Sequence, residues 1–231
     1  VIFADCDYEK MLTTTLRSSF SNQGQICLCG SRIFVEASIY EKFKVDFIER
    51  VQQLVVGSPS EESTQVGALV SKTHFEKVQS YIKEVDTKES RLLCGGEPVH
   101  VEGFEDGYYL SPAVIEVDSN TCKLNQEEIF GPVVTLMSFD SDAEALAMAN
   151  DVKYGLSATV WTNNLKRSLR FSEQLETGIV WVNTWMQRDL RTPFGGVKSS
   201  GVGREGGFEA LRFFMMSLQH ILRLKKFETS G

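Results

Sequence analysis

Five cysteines occur in the 231 residues, and one of them, Cys27, stands where a thiol could act as a nucleophile. Its stretch reads Phe20-Ser21-Asn22-Gln23-Gly24-Gln25-Ile26-Cys27-Leu28-Cys29-Gly30-Ser31-Arg32, between a helix-like run and the strand-like Ile33-Phe34-Val35. Gly24 and Gly30 allow sharp turns on either side, because glycine reaches positive φ without a Cβ clash. The attacking species of such a residue is the thiolate. No His, Asp or Glu lies nearby in sequence to take the proton. Activation would have to come from backbone N–H groups, a distant base or the charge of a bound cofactor. Read alone, the stretch fits a small buried hydrophobe equally well, as most free cysteines are. Cys29 reads as a packing neighbour, with oxidative pairing to Cys27 as the lesser alternative.

Two later stretches change that balance. Glu127-Glu128-Ile129-Phe130-Gly131-Pro132 follows about a hundred residues on, and by itself it is only a charged turn before a strand. Further along comes Pro193-Phe194-Gly195-Gly196-Val197-Lys198-Ser199-Ser200-Gly201-Val202-Gly203-Arg204-Glu205. Together with Phe-x-x-x-Gly-Gln-x-Cys-x-x-x-x-Arg from Phe20 to Arg32, these resemble three signatures of the aldehyde dehydrogenase superfamily, in family order and at family-like spacings. The resemblance runs essentially from end to end.

That resemblance implies a chemistry and a set of roles. The nucleophile would be Cys27, whose thiolate adds to an aldehyde carbon. The thiohemiacetal would give hydride to a nicotinamide ring, and water would hydrolyse the thioester. The backbone N–H of Cys27 matches one oxyanion donor. Glu128 matches the carboxylate that holds the ribose hydroxyls of NAD or NADP, a task that suits a group able to accept two hydrogen bonds. Phe130 matches the residue packed near the nicotinamide. Arg188, in the loop Asn183 to Pro193, matches the substrate-entrance wall of the 2-aminomuconic and 2-hydroxymuconic semialdehyde dehydrogenases, where an arginine meets a substrate carboxylate. A guanidinium fork suits that work. The competing reading pairs Arg188 with Asp189, and Arg191 is the fallback. Glu205 matches a proton-relaying carboxylate, or is a carboxylate favoured by a helix N-terminus.

The same resemblance places the general-base glutamate, the oxyanion asparagine and the dinucleotide-binding glycines upstream of Val1. Since the sequence opens on apolar Val1-Ile2-Phe3 rather than Met, it is expected to be a piece of a longer polypeptide, or a chain that lost its N-terminal part. Alone it should bind NAD weakly and deacylate slowly. Residues 1–214 would be the catalytic domain and 215–231 a C-terminal oligomerisation strand and tail. Leu218 to Leu224 alternates and is expected to pair with another copy in a homo-oligomer. The alternative function is a non-enzymatic structural or interaction module of the same ancestry. A weaker third is ester hydrolysis through Cys27 without NAD.

Composition bounds the rest. With 42% hydrophobic and 24% charged residues the chain is ordinary for a globular protein. A formal charge of −7 with scattered Lys and Arg excludes an electrostatic footprint for nucleic acid. There is no apolar run of membrane-spanning length and no export signal, so no membrane partner is expected. An odd number of irregularly spaced cysteines, with three histidines, argues against a disulfide scaffold or a structural metal site. A reducing compartment, the cytoplasm, fits better.

The elements that must position these residues follow from periodicity. Helices are expected over about 8–21 (capped by Asp7), 38–54 (capped by Ser38), 73–85, 142–150 (capped by Ser141), 165–175 and 208–215. Strands are expected at 32–35, 92–94, 108–117, 133–139, 156–161 and 178–182, with Pro112 suggesting an edge for the third. His74 reads as solvated and Cys94 as packing. Alternating strands and helices predict an α/β fold, an open and mostly parallel sheet with helices on both faces.

Overall fold

The computed structural model describes residues 1–85, 89–215 and 218–219. A parallel-dominated sheet forms its centre. Strands β1 (Arg32–Glu36), β2 (Ser90–Cys94), β3 (Ala113–Val117) and β4 (Val133–Phe139) lie in the order β1-β4-β3-β2. β4 is parallel to both β1 and β3, while β2 runs antiparallel to β3. Two short strands, β5 (Tyr154–Gly155) and β6 (Ser157–Val160), precede β7 (Ile179–Val182), which pairs in parallel with β6. The two sets are joined by Ile2, which bridges Val35 on one side and Trp161 on the other. Its N–H donates to Phe34 O at 2.8 Å, and Phe3 N–H donates to Trp161 O at 3.0 Å.

Alternation along the strands sends side chains to two covered faces. On one face Ile33, Val35, Val114, Val134 and Leu136 pack with Met11, Leu12 and Phe20 of α1 (Tyr8–Phe20) and with Tyr40, Phe43, Phe47 and Val51 of α2 (Ala37–Gln52). On the other, Ala113, Ile115, Val117 and Val133 meet Val78 and Tyr81 of α3 (Lys72–Lys83). Phe34 and Phe139 meet α5 (Asp142–Asn150) and α6 (Leu165–Gln174). Each fully buried Phe contributes roughly 1.5–3 kcal/mol, so the stacked pair Phe43 and Phe47, 5.1 Å apart, is a substantial anchor for α2. The expected class of fold is present, with helices on both faces.

Local caps explain where the helices begin. Asp7 accepts from Lys10 N–H, Ser71 from His74 N–H, Ser141 from Glu144 N–H and Asn164 from Arg167 N–H, each satisfying a donor that the first turn leaves unpaired. α2 differs from expectation. Its cap position is Glu36, and Ser38 lies inside the first turn, donating to Glu36 Oε1 at 3.0 Å.

The expected strand over 108–117 begins only at Ala113, and it is interior: β2 covers it on the side that an edge would leave open. Pro112 precedes the strand, so it removes no ladder donor. The chain also contains a short helix α4 (Lys123–Gln126), a two-residue strand β8 (Val197–Lys198) pairing with β5, and a helix α7 (Gly207–Phe214). The expected tail strand at 218–224 lies, from His220 onward, outside the described residues. No helix among the described residues is long and apolar enough to cross a membrane.

Candidate functional site

The cysteine loop leaves α1 through a left-handed passage. Asn22, Gln23 and Gly24 have φ of 50°, 56° and 69°. Asn22 tolerates that region and fixes the turn: its O accepts from Gln25 N–H at 2.9 Å, and its Nδ2 donates to Gln25 O at 3.0 Å. Ile26 to Cys29 then makes a second tight turn closed by Cys29 N–H to Ile26 O at 2.9 Å, with Cys27 as its first central residue. The exit is held by Gly30 N–H to Ser18 O and by Ser19 Oγ to Gly30 O, both 3.1 Å. Within this frame Cys27 is exposed, and its N–H has no acceptor among the described residues.

The second motif is brought against the first by two glycines. A Cβ on Gly24 would lie 2.1 Å from Gly131 O, and one on Gly131 would lie 2.6 Å from Val78 Cγ2. Only bare backbones fit between the cysteine loop, the turn Glu127 to Pro132 and α3. The turn itself is built by α4 and its surroundings. Buried Asn125 accepts from Thr135 Oγ1 at 2.5 Å and donates to Asn120, while Gln126 Nε2 donates to Asn120 O and Asp151 O.

Glu127 is engaged, accepting from Tyr81 OH at 2.7 Å. That bond, with burial, pushes the Tyr81 phenol up to about 12. Glu128 is bonded only through its carbonyl, to Lys77 Nζ at 3.1 Å, and its exposed carboxylate is without a partner among the described residues. Phe130 has φ 63°, a costly conformation for a bulky side chain. His74 Nε2 lies 2.6 Å from Phe130 O. His74 is therefore half-buried and supports the turn, where the sequence suggests a solvated side chain. No spacing rule could have found it, because the two residues are 56 apart in the chain.

Cys27 and Glu128 line one cavity of about 460 Å³, together with Cys29, Arg32, Asn125, Ser199 and other residues. Phe130, Arg188 and Glu205 do not line it. Arg32 of the first signature is a wall residue that the sequence leaves without a role. Its Nη2 donates to Met148 O and Ala149 O, and its Nη1 is buried without a partner among the described residues. Burial, partly opposed by Asp151, pulls its guanidinium down to about 10.

The other four thiols are buried or half-buried, and burial pushes each above the ordinary thiol value, Cys6 and Cys29 to about 11. Cys94 packs in the core, as expected. No group of three or more His, Cys, Asp or Glu that could hold a metal occurs among the described residues.

On its other side the cysteine loop rests on aromatic rings. Trp185 Nε1 donates to Leu28 O at 2.8 Å, and Leu28, Trp181 and Trp185 form a small core with Phe194 packed against it. Arg188 belongs here. Its guanidinium lies 4.2 Å from the centre of the Phe194 ring, and it makes no pair with Asp189. Asp189 is taken by Arg191 through Nε at 2.9 Å and Nη2 at 2.5 Å, which removes Arg191 as a free fallback. Arg191 holds the carboxyl of Asp189 below its usual range. Glu205 is bonded backbone to backbone with Phe194, both ways at 2.7 Å, and its exposed side chain just precedes the cap of α7.

The family model described as Aldehyde dehydrogenase family matches residues 1–220. Among curated proteins, the 2-aminomuconic 6-semialdehyde dehydrogenase of Pseudomonas sp is 45% identical over 227 residues, 98% of this chain and 46% of that protein. The 2-aminomuconic semialdehyde dehydrogenase of Bos taurus is 47% identical over 224 residues, 93% and 45% of the two chains. Among solved structures, the HpcC of Thermus thermophilus superposes with a TM-score of 0.90 at 39% identity, covering 97% of this chain and 46% of that one. Betaine aldehyde dehydrogenase of Staphylococcus aureus in complex with NAD+ gives 0.89 at 34%, covering 92% and 42%. The chain thus spans about half the length of the curated relatives it matches.

Proposed function

The chain belongs to the aldehyde dehydrogenase family, and on that premise we propose that it carries the thiol side of an aldehyde oxidation site, with Cys27 as nucleophile. The observation that supports this most directly is the pairing of an exposed Cys27 with an unengaged Glu128 in one cavity, fixed by the contact of Gly24 with Gly131. In the first step the Cys27 thiolate adds to the aldehyde carbon. The C–S bond forms as the carbonyl π pair moves to oxygen, where the free N–H of Cys27 can donate to the developing charge.

The residues present suit a nicotinamide cofactor. Glu128 offers a free carboxylate at the cavity for a ribose diol. Phe130, two residues on and outside the cavity lining, with its carbonyl bonded to His74, is our candidate for the ring packed near the nicotinamide. Bound NAD or NADP would supply the hydride acceptor. Cys29, pushed up to about 11 by burial, stays a thiol at neutral pH and does not compete for the aldehyde. Glu205 is our candidate for carrying protons.

For the substrate we infer an aldehyde that bears a carboxylate, as the relatives' names suggest for them. Arg188 is the residue we assign to that carboxylate, because its guanidinium is stacked on Phe194 with its N–H edge unengaged. The test is kinetic. Cys27→Ala should abolish oxidation, and Arg188→Ala should raise KM for a carboxylate-bearing aldehyde roughly ten- to hundredfold, the worth of one charge-assisted hydrogen bond. A plain aliphatic aldehyde should be nearly unaffected. Equal losses on the two substrates would reduce Arg188 to a support of its loop.

A further inference from the structure

Arg188 has a counterpart. Arg17, on the last turn of α1, is exposed, and its guanidinium lies 5.6 Å from the centre of the Trp185 ring. Among the described residues the guanidinium groups of these two arginines make no hydrogen bond and no ion pair, although the Arg17 carbonyl accepts from Ser21 N–H at the end of α1. The other described arginines are each engaged: Arg32 and Arg204 by carbonyls, Arg170 by Gln174, and Arg50, Arg91, Arg167, Arg191 and Arg212 by carboxylates.

The two unengaged guanidiniums are not scattered. One covers Trp185 and the other Phe194, and both rings belong to the small aromatic core under Leu28. Trp185 also holds the Leu28 carbonyl, one residue from the thiol of Cys27. A guanidinium laid over a ring keeps its plane fixed while its N–H donors point outward, which prepares it for a carboxylate at little ordering cost. Neither arginine lines the cavity that holds Glu128, so the two cations lie away from the side assigned to the cofactor.

We propose that Arg17 is a second carboxylate-recognising residue of this site, acting with Arg188 on the anionic end of an aldehyde acid whose carbonyl is at Cys27. The proposal rests on the reading of Cys27 as nucleophile. It adds a specificity role for a helix residue that would otherwise serve only as a cation at a helix C-terminus.

The test needs no cofactor and uses the chain as it is. Cys27 is alkylated with 6-(bromoacetamido)hexanoate and, in parallel, with the neutral amide of the same reagent. In each case sulfur displaces bromide, and the site of labelling is read by peptide mass. The measured quantity is the ratio of the acid rate to the amide rate at Cys27. Arg17→Gln should lower that ratio roughly tenfold, and Arg17→Lys should lower it less, because the charge remains while the stacked fork is lost. Unfolding temperature, measured alongside, reports the helix-terminus role, which would not move the ratio.

An unchanged ratio in Arg17→Gln overturns the inference. If Arg188→Gln lowers the ratio in that case, the reading of the site survives without Arg17. Equal slowing of both reagents by Arg17→Gln also overturns it, since that is a change of the loop and not of charge recognition. Labelling that falls mainly on a cysteine other than Cys27 removes the underlying reading and the inference with it.

Discussion

The contact between Gly24 and Gly131 can be tested by adding one methyl group. Gly24→Ala meets two obstacles. Its φ of 69° is left-handed, which costs an L residue about 1–2 kcal/mol. Its Cβ would also stand 2.1 Å from Gly131 O and 3.1 Å from Pro132 N, so backbone must move by about an ångström. There is no slack behind Gly131, because a Cβ there would itself lie 2.6 Å from Val78 Cγ2. Overpacking of this kind costs about 1–3 kcal/mol more.

Gly103→Ala isolates the first cost, since Gly103 has φ 78° and nothing within 4 Å of its added Cβ. For a chain of this length 1 kcal/mol is about 2–4 °C in Tm. Gly103→Ala should therefore lower Tm by about 2–8 °C, and Gly24→Ala should lower it by a further ~2–12 °C. Hydrogen exchange should locate the difference, with faster exchange over residues 127–132 in Gly24→Ala alone. Equal Tm losses in the two variants, or unchanged exchange in that turn, would refute the claim that the two motifs are locked by bare backbone.

Two further outcomes follow from the packing. Iodoacetamide at neutral pH should label Cys27 before the other four thiols, which burial shields and pushes upward; peptide mapping that finds Cys94 or Cys122 labelled first would contradict the loop geometry. The second concerns Glu116, buried on β3. Burial works to raise its pKa, but donation from Tyr40 OH at 2.8 Å and Lys44 Nζ at 3.1 Å, with the charges of Lys44 and Arg91, leaves it lowered. A carboxyl depressed in the folded state adds stability above its ordinary value near 4.3, lost as pH falls through the lower folded value. Glu116→Gln should cost roughly 1–3 kcal/mol at pH 7 in urea unfolding, and its stability should fall less on acidification below about pH 4 than that of the parent chain. Parallel pH curves would remove Glu116 from the account.

What the sequence made legible was whatever depends on near neighbours. The caps at Asp7 and Ser141 sit three residues before the N–H they satisfy, and β4 announces itself as a mostly apolar run from Val133 to Phe139. Ser71 and Asn164 cap in the same way, but the sequence reading does not single them out. The interior place of β3 was misread because Pro112 signals only that its own N–H cannot join a ladder, and a proline just before the first strand residue leaves the strand free to be central. His74 was misread because its partner is a carbonyl, and any residue type supplies one. The loop at Arg188 shows the same limit in charge form. Asp189 had two arginines within reach in sequence, and only the backbone decided for Arg191, whose N–H also donates to the same carboxylate at 2.9 Å.

These limits bear on how the candidate site holds together. The residues that carry its chemistry are recognisable by type, whereas those that hold them act through atoms every residue has: the Gly131 carbonyl, the Phe130 carbonyl and the Leu28 carbonyl. Each of these is met by a group whose partner the sequence does not reveal: Gly24, legible as a turn residue but not as the neighbour of Gly131, a histidine on α3 and an indole on the far loop. The Leu28 carbonyl is the most telling of the three. Through it Trp185 ties the thiol turn to the ring that carries Arg17, and through Phe194 the same small core reaches Arg188 and Glu205. A shift of Trp185 would therefore move the nucleophile and the cationic rim together. That coupling gives a packing reason for two rings of one small core that each carry an arginine, where a merely solvated loop would need none.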